Sequence, residues 1–465
     1  MTGRTMGVGA VRWDSMSSSA ESLSPVLTPE GWELLNALPP YDQASSFGLN
    51  QRLRREGHPA DRVAAALTQS RLRAEARRKF GDFADRMLFT HAGLQQSTRL
   101  PVAARHAQRF RAAGLDRVVD LGCGLGADAL AAASLGLSVT AVEADEGTAA
   151  AATINLLPFP EARVLHSTAE SFAATYELTS SPAPRGWGLW LDPARRDPQA
   201  AESAGNAGPS RLWDPESFSP PLSFVLELAR TGTPMGVKLG PGLPHELIPE
   251  DCEAEWVSMD GDLVEVVLWF NALARPGVRR AATVLHSHLG TSQHSSDQSS
   301  FEKHSSGPAQ HTGELTSPAE FGAGVDLEPT GSGGLTGVLH EPDPAVIRSG
   351  LVAELADQLG GRLLDGHIAY FCTDELAPAQ EAGLSRGYRI RQVSPYSVKA
   401  LKRWAAEQGV TSLEIKKRGV DIVPEQLRQQ VLPRAQVRKQ GPRHHATVVI
   451  TRLGDDRVFV VVDPT

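Results

Sequence analysis

At 465 residues, and with about 150 residues to a typical domain, the chain has room for two or three domains. Three cysteines, Cys123, Cys252 and Cys372, are too few for a disulfide framework or a four-cysteine zinc site. With no run of about 18 apolar residues and no charged-then-apolar leader, a reduced, cytoplasmic protein without membrane spans is expected. The net charge of −8 is unevenly spread, since Arg389 to Arg452 holds fourteen Lys/Arg against four Asp/Glu, a local basic excess of the kind that contacts nucleic acid.

Residues 1–27 are Ser- and Gly-rich and read as a disordered extension. Residues 28–113 read as a helical region. It opens at Thr28-Pro29-Glu30-Gly31-Trp32, where a threonine N-cap precedes proline at the first helical position. Ala60 to Phe83 carries Val63, Leu67, Leu72 and Ala76 among arginines, the pattern of amphipathic helices with a basic face. A further helix is expected over Pro101 to Ala113.

From 114 to 285 strands and helices alternate. Strands are expected at Arg117–Leu121, Leu137–Glu143, Ala162–His166, Gly188–Asp192 and Pro234–Leu239, with helices at Ala127–Leu135 and Gly147–Leu156. Two apolar runs, Ala254–Met259 and Leu263–Phe270, flank Asp260-Gly261-Asp262, a hairpin turn signal. Parallel strand–helix units ending in a hairpin predict an α/β open sheet with an antiparallel strand. Residues 286–334, dominated by Ser, His, Gly, Thr and Gln, read as a flexible linker. Its five histidines have irregular spacing and no cysteine companions, so no metal site is expected. Residues 335–465 read as an α+β region, with helices at Pro344–Gln358, Ser397–Gln408 and Pro424–Leu432. Strands are expected around Ile368–Cys372, Ala446–Thr451 and Arg457–Val462.

Chemistry concentrates at Val118-Val119-Asp120-Leu121-Gly122-Cys123-Gly124-Leu125-Gly126-Ala127. Glycines let the backbone turn sharply and approach a ligand, and the following helix offers free N–H groups. Glu143, about 20 residues on, ends the next strand, where a carboxylate accepts hydrogen bonds from ribose hydroxyls. Gly122, Gly124 and Ala127 also fit the dinucleotide pattern G-x-G-x-x-G/A, but Asp120 would repel a pyrophosphate. With Gly126 as a third glycine, the stretch resembles motif I of the class I S-adenosylmethionine-dependent methyltransferases.

Asp192-Pro193-Ala194-Arg195-Arg196 lies at the carboxyl end of the fourth strand, the edge where open α/β sheets hold ligands. Base-modifying methyltransferases carry Asn/Asp-Pro-Pro-aromatic at this position, and here Arg195 replaces the ring. A C5-pyrimidine mechanism needs a thiolate, and no cysteine is near this motif in sequence. Together with Leu88-Phe89-Thr90, Gly93-Leu94-Gln95-Gln96-Ser97-Thr98, Lys238-Leu239-Gly240-Pro241-Gly242, Glu341-Pro342-Asp343 and Glu414-Ile415-Lys416-Lys417-Arg418-Gly419, the chain resembles the bacterial class I methyltransferases with a C-terminal THUMP-like domain. Gln95 stands where that family usually has glutamate. Ser167-Thr168 stands where many class I enzymes place an aspartate near the adenine.

The resemblance implies a Rossmann-like class I sheet between a helical N-terminal region and a THUMP-like α+β domain, with S-adenosyl-L-methionine as cofactor and a base in structured RNA as acceptor. It assigns Asp120, Gly122, Gly124, Gly126, Glu143 and Thr168 to the cofactor. Asp192, Pro193 and Arg195 fall to catalysis, and Arg196, Lys238, Lys416, Lys417 and Arg418 to the substrate. The basic clusters, which include Lys399, Lys402, Arg403, Arg434, Arg438, Lys439 and Arg443, suit phosphates without sequence choice. A small-molecule or protein acceptor, or an inactive RNA-binding protein of the same fold, are the alternative readings.

Overall fold

The computed structural model describes residues 18–195, 215–287, 310–330, 333, 335–376, 383–432 and 444–465. They fall into two compact units. The first takes in the described residues up to Lys238 with Phe270–Leu273, and the second takes in Leu239–Trp269 and the described residues from Ala274 to Thr465.

The first unit opens with helices. α1 (Ser18–Leu23) and a 3-10 turn (Ser24–Val26) lead into α2 (Pro29–Ala37), whose N-cap Thr28 accepts a hydrogen bond from the Gly31 amide as its sequence predicts. The expectation of a disordered extension to residue 27 is therefore corrected from Ser18 onward. Ala20, Leu23 and Val26 are buried, and Ser19 Oγ donates to Asp145 Oδ1 at 2.6 Å. A side chain at Gly147 would meet the Ala20 amide at 2.4 Å, so glycine there permits the contact. α3 (Ser46–Arg55), α4 (Ala60–Phe80), α5 (His91–Gln96) and α6 (Leu100–Ala112) complete this region. Along α4 the buried face is Val63, Ala66, Leu72, Ala76 and Phe80.

The sheet of this unit is built from β1 (Arg117–Leu121), α7 (Ala127–Ser134), β2 (Ser138–Glu143), α8 (Glu146–Leu156), β3 (Ala162–His166), α9 (Ala169–Thr175) and β4 (Trp187–Leu191). The two-residue strands β5 (Ala194–Arg195) and β6 (Phe218–Ser219), the helix Leu222–Arg230 and β7 (Met235–Leu239) follow. The main strands run in the order β7-β4-β1-β2-β3, all four neighbouring pairs parallel. Register matters for the site. Leu121 lies opposite both Val142 and Leu191, so the carboxyl ends of β1, β2 and β4 finish level. Asp120, Glu143 and Asp192 come to one edge in consequence.

The second unit begins with the hairpin of β8 (Cys252–Met259) and β9 (Asp262–Phe270). Asp260 and Gly261 turn it with φ of 56° and 83°, the left-handed pair that matches strand twist in a two-residue turn. β10 (Arg280–His286) pairs parallel with β8, and β11 (Gln310–Ser317) pairs antiparallel with β10. The expected linker 286–334 therefore contains a strand, with Leu315 buried. Polar composition hid an edge pairing that needs backbone groups more than apolar side chains.

A seven-stranded sheet ends the chain, ordered β13-β14-β12-β15-β18-β17-β16. Its strands are β12 (Val338–Pro342), β13 (Arg362–Asp365), β14 (Ile368–Thr373), β15 (Ser385–Pro395), β16 (Ser412–Lys417), β17 (His445–Leu453) and β18 (Asp456–Pro464). Alternation along β17 and β18 separates two cores. Val449, Val458 and Val460 join Leu339, Tyr370 and Tyr388. Val448, Ile450 and Phe459 meet Leu401 and Trp404 of the helix Val398–Glu407 and Leu427 of the helix Pro424–Val431. The predicted helix Pro344–Gln358 is two, Pro344–Arg348 and Val352–Gln358, parted at Gly350 with φ of 69°.

Candidate active site

The loop after β1 turns on three glycines with positive φ, Gly122 (93°), Gly124 (55°) and Gly126 (82°). This is the backbone region that side chains resist. The loop is tied down by Glu143, whose carboxylate accepts from the Gly124 amide and the Asp145 amide, each at 2.9 Å. A carboxylate has about four acceptor positions, so Glu143 keeps capacity for hydroxyl donors. Thr168 sits beyond β3, exposed, and its hydroxyl caps α9 by accepting from the Ser171 amide.

Asp120 is 1% exposed, and neither carboxylate oxygen has a hydrogen-bond partner among the described residues. Burial, then the charges of Asp128 and Asp192, push its carboxyl well above the usual range, with Lys238 pulling the other way and Glu143 adding to the rise. Cys123 is also buried, and its thiol is raised by burial and by Asp120 and Glu143. The loop does bring a cysteine to the strand edge, but in the thiol form, which is a poor nucleophile.

Asp192 follows β4, with Pro193 buried behind it. Lys238 of β7 bonds to Asp192 Oδ2 at 2.5 Å and donates to Thr98 Oγ1 at 3.0 Å. Thr98 in turn donates to Asp128 Oδ2 at 2.8 Å, and His106 Nδ1 bonds Asp128 Oδ1 at 2.8 Å. Burial of Asp128 opposes its charge, but the hydrogen bond and charge of His106, then Lys238 and Thr98, hold its carboxyl below the usual value. The His106 ring lies 4.3 Å from that of Trp190 on β4. Lys238, expected to face the substrate, is bound to Asp192 and Thr98. Thr98, Asp128 and His106 were not singled out as site residues, although Thr98 closes the Gly93–Thr98 motif.

Lys79, at the end of α4, is a second residue the sequence did not single out. Its ammonium donates to the carbonyls of Leu94, Gln95 and Ser97 at 2.7–2.8 Å, holding the turn that presents Thr98. Burial first, then Lys238 and Arg99, bring its pKa down to about 8. The Arg195 backbone pairs with Phe218, whereas Arg196 lies outside the described residues. No group of three His, Cys, Asp or Glu able to hold a metal occurs among the described residues, and none of their helices is long and apolar enough to cross a membrane.

The basic segment in the second unit is less available than its charge count suggests. Lys416 pairs with Glu341 at 3.0 Å and lies over the Tyr388 ring, and Arg418 lies over Tyr370. Of the expected trio only Lys417 is exposed. The sheet pairs the other two with its own acid and rings. Lys399, Lys402 and Arg403 are exposed on one helix. Arg434, Arg438, Lys439 and Arg443 lie outside the described residues.

This is the fold of the class I methyltransferases, joined to a THUMP-like domain. A crystal structure of a candidate methyltransferase from Porphyromonas gingivalis W83 matches with a TM-score of 0.63 at 17% identity, over 91% of this chain and 99% of that one. Residues 385–464 match the THUMP domain-like family, and residues 19–76 match a domain of unknown function, DUF8688. Among curated proteins the chain is similar to two uncharacterised S-adenosylmethionine-dependent methyltransferases of Mycobacterium tuberculosis, from strains CDC 1551 / Oshkosh and H37Rv. Each is 29% identical over 409 residues, covering 85% of this chain and 94% of the relative.

Proposed function

We propose that the protein transfers the methyl group of S-adenosylmethionine to a base in structured RNA. The relatives and the fold support the methyltransferase and cofactor part. The observation that carries it to this chain is the level strand edge where the glycine loop, Asp120, Glu143 and Asp192 meet. Their carboxylates suit a cofactor that brings a sulfonium and an ammonium and no phosphate, and Glu143 has acceptor positions left for ribose hydroxyls. Asp120 with Gly122, Gly124 and Gly126 takes the amino-acid end in this reading.

The cofactor supplies an already activated methyl group, so the protein's work is alignment and exclusion of water. Asp192, held by Lys238, orients the acceptor and receives its proton. Lys238 keeps that carboxylate aimed, while Thr98 and Asp128 hold Lys238. RNA as acceptor is supported by the THUMP-like domain and by exposed Lys399, Lys402, Arg403 and Lys417. A small-molecule or protein acceptor is the second reading, favoured by the engagement of Lys416 and Arg418 within their own sheet. Tritiated-methyl transfer from S-adenosylmethionine to RNA of a strain lacking the protein tests the proposal. Label should enter RNA with the native protein and not with Asp192→Ala. Label entering only protein or small molecules would refute the RNA assignment.

A further inference from the structure

Asp120 poses a physical problem. An ionised carboxylate enclosed in protein costs several kcal/mol unless paired and hydrogen-bonded, and neither Asp120 oxygen has a hydrogen-bond partner among the described residues. Its charged neighbours do little to offset that cost. Asp128 from α7, Asp192 beyond β4 and Glu143 from β2 are acids, against Lys238 from β7, and Lys238 is itself bound to Asp192. Cys123 in the adjoining loop is a buried thiol. His106 is engaged with Asp128. A proton on Asp120 removes the unpaired charge and the repulsion together. Adding a positive charge to the same pocket reverses the preference, because it supplies the counter-charge that the acids lack.

We infer that Asp120 is protonated in the free protein and gives up its proton to solvent when a cationic cofactor binds, so that cofactor binding and proton release are one coupled event. The inference rests on the methyltransferase reading of this site and adds a consequence that reading does not require. The raised carboxyl of Asp120 has the right direction for it. By linkage, the slope of log affinity against pH equals the number of protons released. Affinity should therefore rise with pH by up to about tenfold per unit while Asp120 is protonated in the free form and ionised in the complex.

Calorimetric titration of the full chain with S-adenosylmethionine and S-adenosylhomocysteine, in two buffers of different ionisation heat, reads the release directly. The native protein should release up to one proton per S-adenosylmethionine bound and less with S-adenosylhomocysteine, which lacks the sulfonium charge, and a pH series should show the matching slopes. Asp120→Asn should bind with no release and a flat profile. Asp128→Asn removes a neighbouring negative charge and should move the native profile to lower pH, which keeps the test open if the first variant fails to fold. Equal heats in both buffers for the native protein, or release that persists in Asp120→Asn, would overturn the coupling while leaving the methyltransferase reading standing. Failure of either adenosyl ligand to bind at any pH would overturn both.

Discussion

The clamp on Asp192 makes an asymmetric prediction for stability. Lys238 is 13% exposed at its side chain and Asp192 is 35% exposed, with 2.5 Å between them. Breaking a fully buried pair by removing one partner costs about 3–5 kcal/mol. Partial exposure of Asp192 brings the expected loss for Lys238→Met to about 2 kcal/mol, because Asp192 and Asp128 both lose a nearby cation and Asp192 is the better solvated of the two. In a unit of this size the melting temperature should fall by about 2–4 °C per kcal/mol. Asp192→Asn should cost less, under about 1 kcal/mol, since Asp192 is the more exposed partner and Lys238 stays bonded to Thr98. The double variant should recover about 1–2 kcal/mol of the summed loss, the signature of direct coupling. Denaturation of the four proteins under one condition measures the cycle. Equal single losses that add within about 0.5 kcal/mol would refute the clamp.

Three further outcomes follow from other parts of the molecule. Glu143→Ala should weaken S-adenosylhomocysteine binding by about 1.5–3 kcal/mol through loss of charge-assisted hydrogen bonds, and calorimetry showing a change under twofold would contradict its role. His340 is fully buried between Ser385 and Thr373 and stacked on Phe371, and burial lowers its pKa to about 4. The unfolded chain therefore binds more protons between about pH 4 and 6.5, and stability should fall by about 2–3 kcal/mol from pH 7 to 4.5. Urea unfolding should show that part of the loss disappear in His340→Asn, and an identical pH dependence would refute it. Lys417→Ala should flatten the slope of log RNA affinity against log salt by about 0.7, whereas Lys416→Ala should lower stability by breaking the Glu341 pair. Filter binding and thermal melts on both variants separate the two roles.

The parts legible in sequence are those whose cause is local. The run Val118–Leu121 stops at glycines whose positive φ the structure shows, Thr28 caps the helix it precedes, and Asp260-Gly261 turns the hairpin its type predicts. Glu143 could be placed because strand length and sheet register bring the end of β2 level with β1. What stayed hidden depends on residues far apart in the chain. Lys238 reaches Thr98 across 140 positions and Lys416 reaches Glu341 across 75, and no periodicity announces either pair. Lys79 looks like one more base in the arginine-rich α4 until its three carbonyl partners are seen. The helix Ser18–Leu23 was masked by serines, although Leu23 and Val26 already carried the apolar signal. The strand Gln310–Ser317 was masked by linker-like composition.

The central claim is that the strand edge bearing Asp120, Glu143 and Asp192 methylates RNA. The most direct measurement is mass spectrometry of nucleosides from the total RNA of a deletion strain, complemented with the native chain or with Asp192→Ala. The account predicts that one methylated nucleoside is missing in the deletion, returns with the native chain and stays missing with Asp192→Ala. An unchanged set of methylated nucleosides in the deletion strain, or full restoration by Asp192→Ala, would contradict it.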